Sequence, residues 1–122
     1  MSRLEPLDER YPMQRQLGLE AAPVVLINLF TLEAAEEAQF LDAWRSDAAF
    51  MTQQPGCIST QLHRALGGSS MFLNYAVWDS LEAFRAARIR PDFVTKRLAY
   101  PASAVARPHL FQKLAVPGIC EA

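Results

Sequence analysis

Two asparagines that interrupt apolar segments, and a tryptophan that ends one of these segments, are the first candidates for chemistry. Asn74 and Trp78 lie four residues apart in the apolar segment 71–78, and Asn28 interrupts the apolar run 23–30. Alternate residues of a strand share a face, so Asn74 and Trp78 would lie on the same one. A buried amide without a partner loses about 1–3 kcal/mol. Each asparagine must therefore bond across the sheet or donate into a pocket, and Trp78 is either a core residue or part of that pocket's wall.

Two ionisable side chains could move or stabilise charge beside these amides. His63 could take or relay a proton because its ordinary pKa lies near neutrality, although a lone histidine on a half-buried strand also fits a structural role. Arg97 follows Phe93 by four residues, so the two can share one helix face. An inward arginine there could hold an enolate or a phenolate. The other basic residues of 81–107 are expected to form a solvated helix surface.

The composition excludes several classes of protein. The chain has 122 residues, a formal net charge of −1, 51% hydrophobic residues and 20% charged residues. This predicts one domain with a real core, and it excludes intrinsic disorder and a strongly basic nucleic-acid binder. No apolar run approaches the ~18 residues of a membrane span, and the first ten residues lack the apolar stretch of a secretory signal. We therefore expect a cytoplasmic protein without nucleic-acid or membrane partners.

The sequence lacks the common motifs that bind a cofactor or activate a nucleophile. It contains no phosphate loop, dinucleotide fingerprint, metal-ligand spacing or Ser/Cys nucleophile motif. Cys57 and Cys120 are far apart and form no Cys-x-x-Cys or Cys/His cluster, which argues against zinc, iron–sulfur and thioredoxin-type chemistry. Cys57 is best explained as a small apolar filler.

The elements that must position these residues alternate between strands and helices. Apolar segments bounded by turn residues predict the strands, and apolar residues recurring every three or four positions predict the helices. Thr31 is the expected N-cap of the long helix. Pro108 cannot donate to a ladder, which places the last strand at an edge or a bulge. The expected segments are strands at 23–30, 57–66, 71–78 and 104–116, a long helix at 32–53, a helix starting at Asp79-Ser80, and a short helix capped by Asp92 between Pro91 and Pro101.

The order β-α-β-β-α-β is that of a ferredoxin-like α+β fold. Its helices cover one face of the sheet, but these strands are apolar on both faces. A second copy, packed sheet on sheet as a two-fold homodimer, would cover the other face. The domain is expected over residues 23–116. An irregular N-terminal arm at 1–22, able to pack on a partner subunit, precedes it, and a tail at 117–122 follows it.

Two segments carry a resemblance to a known family. Residues 54–63, Gln-Pro-Gly-Cys-Ile-Ser-Thr-Gln-Leu-His, and residues 74–84, Asn-Tyr-Ala-Val-Trp-Asp-Ser-Leu-Glu-Ala-Phe, resemble the antibiotic biosynthesis monooxygenase family. The resemblance spans residues 23–116 and implies ferredoxin-like protomers whose two antiparallel sheets pack as a dimeric α/β barrel. It identifies the fold better than the reaction, because the superfamily includes oxygenases, isomerases, haem-degrading enzymes and members without known activity.

The resemblance extends to the cofactor-independent anthrone oxygenases of aromatic polyketide pathways. Their pocket uses an asparagine and a tryptophan on the third strand, a histidine on the second, and a tyrosine and an arginine on the following helices. These positions correspond here to Asn74, Trp78, His63, Phe84 and Arg97, so the phenol donor of the tyrosine is missing. The resemblance implies that Asn74, Trp78 and Arg97 donate to a substrate anion. It implies that His63 takes or relays the proton.

A second branch of the superfamily degrades haem, and the sequence fits it poorly. That branch uses an asparagine on the first strand, a tryptophan on the helix after the third strand and a histidine ligand on the next helix. Asn28 matches, but the other two positions fall on Ala87 and Arg97. His63 and His109 are the remaining histidines, and nothing in the sequence supports either as an axial ligand. No cofactor is therefore expected, haem included, and dioxygen would be the co-substrate.

The resemblance implies a cofactor-independent monooxygenase that oxidises a small aromatic to a quinone with dioxygen. The aromatic would be a phenol, an anthrone or a hydroquinone. Trp78, Phe72 and Phe84 would shape an apolar pocket for the ring, and Asn28 would add a polar contact. Phe84 in place of a tyrosine keeps two alternatives open. One is an isomerase or other acid–base enzyme of the same fold, and the other is a non-catalytic ligand-binding dimer.

Overall fold

The computed structural model describes residues 2–122 and shows a five-stranded sheet with four helices. A short 3-10 turn at Ala34–Glu36 precedes the longest helix. Within the described residues, no helix is long and apolar enough to cross a membrane. The strands are β1 (Arg3–Leu4), β2 (Val24–Thr31), β3 (Cys57–Arg64), β4 (Met71–Trp78) and β5 (Val105–Phe111). The helices are α1 (Met13–Gln16), α2 (Glu37–Met51), α3 (Leu81–Arg88) and α4 (Pro91–Arg97).

The strands are ordered β1-β5-β2-β4-β3 across the sheet. β2 lies between β5 and β4 and is antiparallel to both, and β3 is antiparallel to β4. The short β1 runs parallel to its neighbour β5. The four longer strands and the helices between them form the split βαβ arrangement. The predicted ferredoxin-like α+β fold class is therefore confirmed.

Helices cover one face of this sheet. On β4, Phe72, Ala76 and Trp78 are buried in clusters with helical residues, whereas Met71 and Tyr75 at alternate positions stay exposed. Tyr75 keeps 40% of its surface accessible. Part of the outer face of the sheet is thus apolar and open in the single chain. Its coverage by a second copy remains a prediction.

Two apolar clusters form the core on the helical face. One packs α3 and the N-terminal arm on the sheet, and its members include Met13, Trp78 and Phe84. The other packs α2 on the sheet around Phe40, whose ring stacks on Phe72 with centroids 4.8 Å apart. Full burial of one such side chain stabilises the fold by about 1.5–3 kcal/mol. The two clusters together hold the helices in fixed positions above the sheet.

Two element boundaries differ from the sequence prediction. Thr31 is not a helix N-cap, because it is the last residue of β2 and is paired with strands on both sides. The long helix begins later, at Glu37, after the 3-10 turn. β5 ends at Phe111 instead of residue 116. The chain beyond it folds into an isolated bridge between Val116 and Cys120.

The start of α3 is fixed by a cap and by a tight turn. Ser80 is the N-cap, and its hydroxyl accepts from the amide of Ala83 at 3.1 Å. Gly56 has a φ of 89°, and a Cβ there would lie 2.7 Å from Asp79 Oδ1. The Gly56 carbonyl in turn accepts from the Asp79 amide at 2.8 Å. This contact ties the beginning of β3 to the end of β4, just before α3.

The start of α4 differs slightly from the prediction. Pro91 does not simply break the preceding helix, because it occupies the first turn of α4, where a missing N–H does no harm. The N-cap residue is Arg90, and Asp92 lies inside the first turn. An acid in that turn still interacts favourably with the helix dipole.

The N-terminal arm, expected to be irregular, adds to the sheet of its own chain. β1 pairs with the beginning of β5. Further along, the side chain of Gln16 imitates a neighbouring strand. Its Nε2 donates to the Leu110 carbonyl and its Oε1 accepts from the Leu110 amide, both at 2.9 Å. Pro108 lies on β5 between the residues that pair with β1 and Leu110, which bonds to Gln16. A missing N–H is tolerated there because the position is at the edge of the longer strands, and the arm covers that edge on either side.

Candidate active site

A cleft lies between the sheet and the helices. It encloses about 900 Å³ of empty space, counting its open mouth. Most of its wall is apolar, with Leu26 and Phe30 on β2, Trp44 on α2 and Phe93 on α4. The polar side chains that line it are Ser2, Asn28, Thr60, Asn74, Asp47, Arg88, Arg97 and Tyr100.

Two asparagines form the polar floor of the cleft. Asn28 on β2 and Asn74 on β4 are directly opposed in the antiparallel register, so their side chains are neighbours on the cleft face. The Thr60 hydroxyl donates to Asn74 Oδ1 at 2.7 Å, which leaves Asn74 Nδ2 available to a ligand. Asn28 Oδ1 is buried and has no partner among the described residues. The floor thus offers an amide donor and an unsatisfied acceptor to a bound molecule.

Trp78 and Phe84 form an aromatic wall beside this floor. Trp78 is 1% exposed, and its ring meets Phe84 edge to face with centroids 5.6 Å apart. Met13 of the N-terminal arm belongs to the same cluster and also lines the cleft. Phe84 has no polar group that could donate or accept a proton. This wall therefore supplies apolar contact and, from Trp78, an indole N–H group.

A carboxyl–phenol pair lies on the helical side of the cleft. The Tyr100 hydroxyl donates to Asp47 Oδ2 at 2.7 Å, and Asp47 Oδ1 is buried without a partner among the described residues. Burial raises the pKa of Asp47 from 3.8 to about 6, although the Tyr100 hydrogen bond and the charges of Arg97 and Lys96 oppose the rise. Burial and the neighbouring carboxylate raise the pKa of Tyr100 above its ordinary value, so its hydroxyl remains a donor.

The sequence pattern did not single out Asp47 or Tyr100. A signal for Asp47 was present, because it follows Trp44 by three residues and precedes Met51 by four. That spacing places an acid on the apolar stripe of α2, where a charged residue is rarely buried unless it is paired. Tyr100 lies after α4 in a segment without periodicity, so no comparable signal marked it.

Two arginines bring positive charge to the cleft. Arg97 lies on α4 with its guanidinium carbon 5.7 Å from the centroid of the Phe93 ring, in the shared-face arrangement that the spacing predicts. Arg88 on α3 also lines the cleft, and burial together with the charge of Arg97 lowers its pKa. The expectation that Arg88 belongs to a solvated surface is wrong. It lies four residues after the buried Phe84 and therefore on the same face of α3.

Two predicted site residues, His63 and Phe72, do not line the cleft. His63 is opposite Leu73 on the outer face of the sheet, where it is exposed with its Nδ1 3.3 Å from the Leu73 carbonyl oxygen. Phe72 is on the cleft face, but α2 covers it and its ring stacks on Phe40. Roles for His63 in catalysis and for Phe72 in substrate binding stay predictions, and the proposals below do not depend on them.

Cys57 lines the cleft because β3 is irregular near its start. A register shift between Cys57 and Ser59 places Cys57 opposite Trp78 and Ser59 opposite Val77. Strict alternation from His63 would put Cys57 on the outer face, but the extra residue at this irregularity turns it toward the cleft. Cys57 is half-buried, and burial raises the pKa of its thiol.

The described residues that line the cleft include no histidine and no cluster of metal-ligating side chains. Across residues 2–122, no group of three His, Cys, Asp or Glu side chains could hold a metal ion. Neither histidine lines the described cleft. His109 instead contacts the N-terminal arm, with its Nε2 3.2 Å from the side-chain Nε2 of Gln16. The residues that line the cleft therefore supply no axial histidine.

Fold and site together define an α+β protein with a small-molecule cleft between its sheet and its helices. The chain belongs to the antibiotic biosynthesis monooxygenase family, whose model matches residues 23–95. Deoxynogalonate monooxygenase of Streptomyces nogalater is 32% identical to it over 94 residues, which are 77% of this chain and 79% of that protein. The resemblance carried by the two sequence segments is thereby confirmed.

Solved structures give the same result. SnoaB, a cofactor-independent oxygenase from Streptomyces nogalater, matches with a TM-score of 0.72 and 31% identity, over 80% of this chain and 99% of that one. A conserved protein from Methanosarcina mazei Go1 gives a TM-score of 0.70 at 9% identity, over 76% of this chain and 94% of that one, and shows the fold alone. Ser2, Leu4 and Met13 line the cleft but precede the residues matched by the family model.

Proposed function

We propose that the protein is a cofactor-independent monooxygenase that oxidises a phenol, an anthrone or a hydroquinone to a quinone with dioxygen. The observation that carries the proposal is the polar floor of Asn28 and Asn74 in an otherwise apolar cleft. Apolar walls suit a flat aromatic ring, and the amides suit its oxygen substituents. Membership of the family and the description of SnoaB as a cofactor-independent oxygenase support it.

The proposed reaction takes its electrons from the substrate. An anthrone loses a proton from its methylene carbon, and the resulting anion passes one electron to dioxygen. The two radicals combine into a carbon-bound peroxide, which takes up a proton and then loses water. One oxygen atom ends in the new carbonyl group and the other in water, so no external reductant is consumed.

The polar groups of the cleft would stabilise the substrate anion. Asn74 Nδ2, the Trp78 indole N–H and Arg97 would donate to the oxygen on which negative charge collects. Asn28 Oδ1 would accept from a second hydroxyl group and so gain the partner that it lacks in the chain alone. Arg97 lies close enough to Arg88 to lower the pKa of Arg88, and the two positive charges together favour an anionic ligand.

A second copy would cover the outer face of the sheet. Met71, Tyr75 and Phe111 keep 38%, 40% and 45% of their surface exposed on that face. A two-fold pair would bury these apolar groups and complete the barrel that the family resemblance implies. Sedimentation equilibrium should accordingly give twice the chain mass of 13.6 kDa, and a monomer at micromolar concentration would contradict this part of the proposal.

An isomerase or other acid–base enzyme is the second candidate function, and the buried Asp47 carboxyl favours it. A carboxyl whose pKa lies at about 6 can exchange a proton with a substrate near neutral pH. Such an enzyme would rearrange its substrate without consuming dioxygen. The two candidates therefore differ in whether the reaction consumes dioxygen.

Oxygen uptake separates the two candidates. The protein would be incubated with a panel of anthrones and hydroquinones, with a chelator and no added cofactor, against the autoxidation blank. The monooxygenase proposal predicts uptake above the blank that Asn74→Ala abolishes. Gln53→Ala should leave uptake unchanged, because Gln53 is an exposed amide outside the cleft. No uptake above the blank contradicts the proposal, and a rearranged product without uptake supports the second candidate.

A further inference from the structure

The proposed reaction begins with the loss of a substrate proton, so the cleft needs a group that accepts it. Phe84, at the position where the family resemblance implies a tyrosine, has no such group, and His63 faces away from the cleft. The titratable residues that line the described cleft are Asp47, Cys57, Arg88, Arg97 and Tyr100. Burial raises the pKa values of Cys57 and Tyr100, so both stay protonated at neutral pH, and arginines remain charged.

We infer that Asp47 is the general base of the cleft and takes this proton from the bound aromatic. The inference rests on the proposed function, because it assigns one residue to the first step of that reaction. Asp47 is the carboxylate among the described residues that line the cleft. A carboxylate on the cleft wall is the remaining group with the chemistry that the step requires.

The two oxygens of Asp47 have different surroundings, as a positioned base requires. Oδ2 accepts the Tyr100 hydroxyl at 2.7 Å, which fixes the plane of the carboxylate. Oδ1 is buried and has no partner among the described residues. A buried acceptor without a partner is rare in folded proteins and calls for an explanation. A substrate proton would satisfy this oxygen when the ligand is bound.

The charges around Asp47 suit a base that works near neutral pH. Burial raises its pKa to about 6, so the group is ionised at pH 7 but still accepts a proton readily. Lys96 points along the surface of α2, where its ammonium donates to Ser46 Oγ at 2.8 Å. The groups that face Asp47 are Tyr100, Arg97 and Lys96, with Arg88 and Cys57 elsewhere on the cleft wall. Arg97 can then hold the anion that the transfer creates.

The proton moves in a closed cycle. The Asp47 carboxylate takes a proton from the substrate, whose C–H or O–H electron pair stays behind as the carbanion or phenolate. After dioxygen has added, the neutral Asp47 carboxyl returns the proton to the peroxide. Asp47 then removes, as a proton, the hydrogen left on the carbon that bears the peroxide. The C–H electron pair forms the new carbonyl group, the O–O bond breaks, and hydroxide leaves to become water with that proton. Asp47 ends as it began.

Anaerobic hydrogen–deuterium exchange isolates the first of these steps. Anthrone would be incubated with the protein in deuterated buffer near neutral pD without dioxygen, and deuterium at its methylene carbon would be followed by mass spectrometry. We expect exchange well above the buffer blank. Asp47→Asn keeps an acceptor for the Tyr100 hydroxyl but cannot take the proton, so exchange should fall by a factor of about 100 or more. Asp42→Asn, an exposed acid on the same helix, should match the wild type.

The pH dependence of exchange supplies a second readout that a structural role would not move. The rate should rise with pH through an apparent pKa near that of Asp47 and then level off. Tyr100→Phe removes a hydrogen bond that lowers this pKa, so its midpoint should shift upward while exchange persists. This variant also serves if Asp47→Asn fails to fold.

The outcomes distinguish this inference from the proposed function. Wild-type exchange without oxygen uptake would remove the oxygenase proposal and leave Asp47 as the base of another acid–base enzyme. Oxygen uptake with equal exchange by wild type and Asp47→Asn would overturn the inference and leave the oxygenase proposal standing. The absence of wild-type exchange above the blank would also overturn the inference, as would an unshifted midpoint in Tyr100→Phe.

Discussion

Asn28 and Asn74 lie directly opposite each other on neighbouring antiparallel strands, and both face the same cleft. This relationship depends on register, because a slip of one residue between β2 and β4 would turn one amide to the outer face. The two amides differ in their surroundings. Thr60 orients Asn74, whereas Asn28 has a buried oxygen without a partner among the described residues. These surroundings favour a ligand-binding role for the pair over a structural hydrogen bond between the two strands.

Replacement of Asn28 by leucine tests whether this floor serves binding at the expense of stability. A buried acceptor without a partner destabilises the fold by about 1–3 kcal/mol, so Asn28→Leu should unfold at a higher urea concentration than the wild type. Oxygen uptake with the best substrate should fall, because the leucine cannot accept from a hydroxyl group. A variant that is less stable than the wild type would show that the amide has a structural role.

The hydroxyl of Thr60 should matter through the orientation of Asn74. Thr60→Val removes the 2.7 Å hydrogen bond that holds Asn74 Oδ1, so the amide is free to turn. A neutral hydrogen bond contributes about 1 kcal/mol, which corresponds to a loss of roughly fivefold in kcat/KM. Thr60→Ser retains the hydroxyl and should retain most of the activity. A Thr60→Val variant as active as the wild type would show that this hydrogen bond does not set the orientation of Asn74 that matters.

The raised pKa of Asp47 predicts a stability difference that depends on pH. Its pKa is about 6 in the folded chain against an ordinary 3.8, so the folded state binds more protons between these values. The ionised carboxyl therefore destabilises the fold increasingly as the pH rises through this window, by about 3 kcal/mol in total. Asp47→Asn removes this penalty. Its free energy of unfolding, measured relative to the wild type, should rise from about pH 4 to pH 6 and stay level above pH 7.

Asp42→Asn is the matched control for that experiment. Asp42 is an exposed residue on the same helix, so its replacement should change the free energy of unfolding by less than 0.5 kcal/mol, roughly the range of surface substitutions. A difference between Asp47→Asn and the wild type that does not vary with pH would show that Asp47 has an ordinary pKa.

Gln16 should hold the N-terminal arm against the edge of the sheet. Gln16→Ala removes both hydrogen bonds to Leu110, so the amide of Leu110 should exchange with deuterated solvent faster and stability should fall by about 1–2 kcal/mol. Gln14→Ala on the same short helix is the control, because Gln14 is exposed. Unchanged protection of Leu110 would mean that Arg85, which donates to the Leu17 carbonyl, holds the arm by itself.

The fold was largely predictable because its signals are local. Alternation along β4 correctly placed Asn74 and Trp78 on one face, and turn residues marked the strand ends. The features that the sequence did not reveal depend on distant contacts. β1 exists because the edge of β5 accepts it, and Thr31 belongs to a strand because strands on both sides pair with it. No local pattern encodes either contact.

The candidate site was predictable to a smaller extent, for the same reason. The sequence marked Asn28 and Asn74 as polar residues in apolar strands, and it marked Arg97 as a residue on the same helix face as Phe93. All three line the cleft. The position of His63 follows from the pairing register of β3 with β4, which the sequence does not show. Asp47 could have been found as the one acid on the apolar stripe of α2. A polar residue on an apolar face is more informative than the apolar residues around it.

The most direct test of the central claim is the isotopic composition of the product. An anthrone that shows oxygen uptake would be turned over under ¹⁸O₂ in unlabelled water, and the quinone would be analysed by mass spectrometry against the blank and Asn74→Ala. The account predicts one ¹⁸O atom in each product molecule formed by the wild-type protein and no excess over the blank with Asn74→Ala. A product without the label, or equal labelling by the variant, would contradict a monooxygenase acting in this cleft.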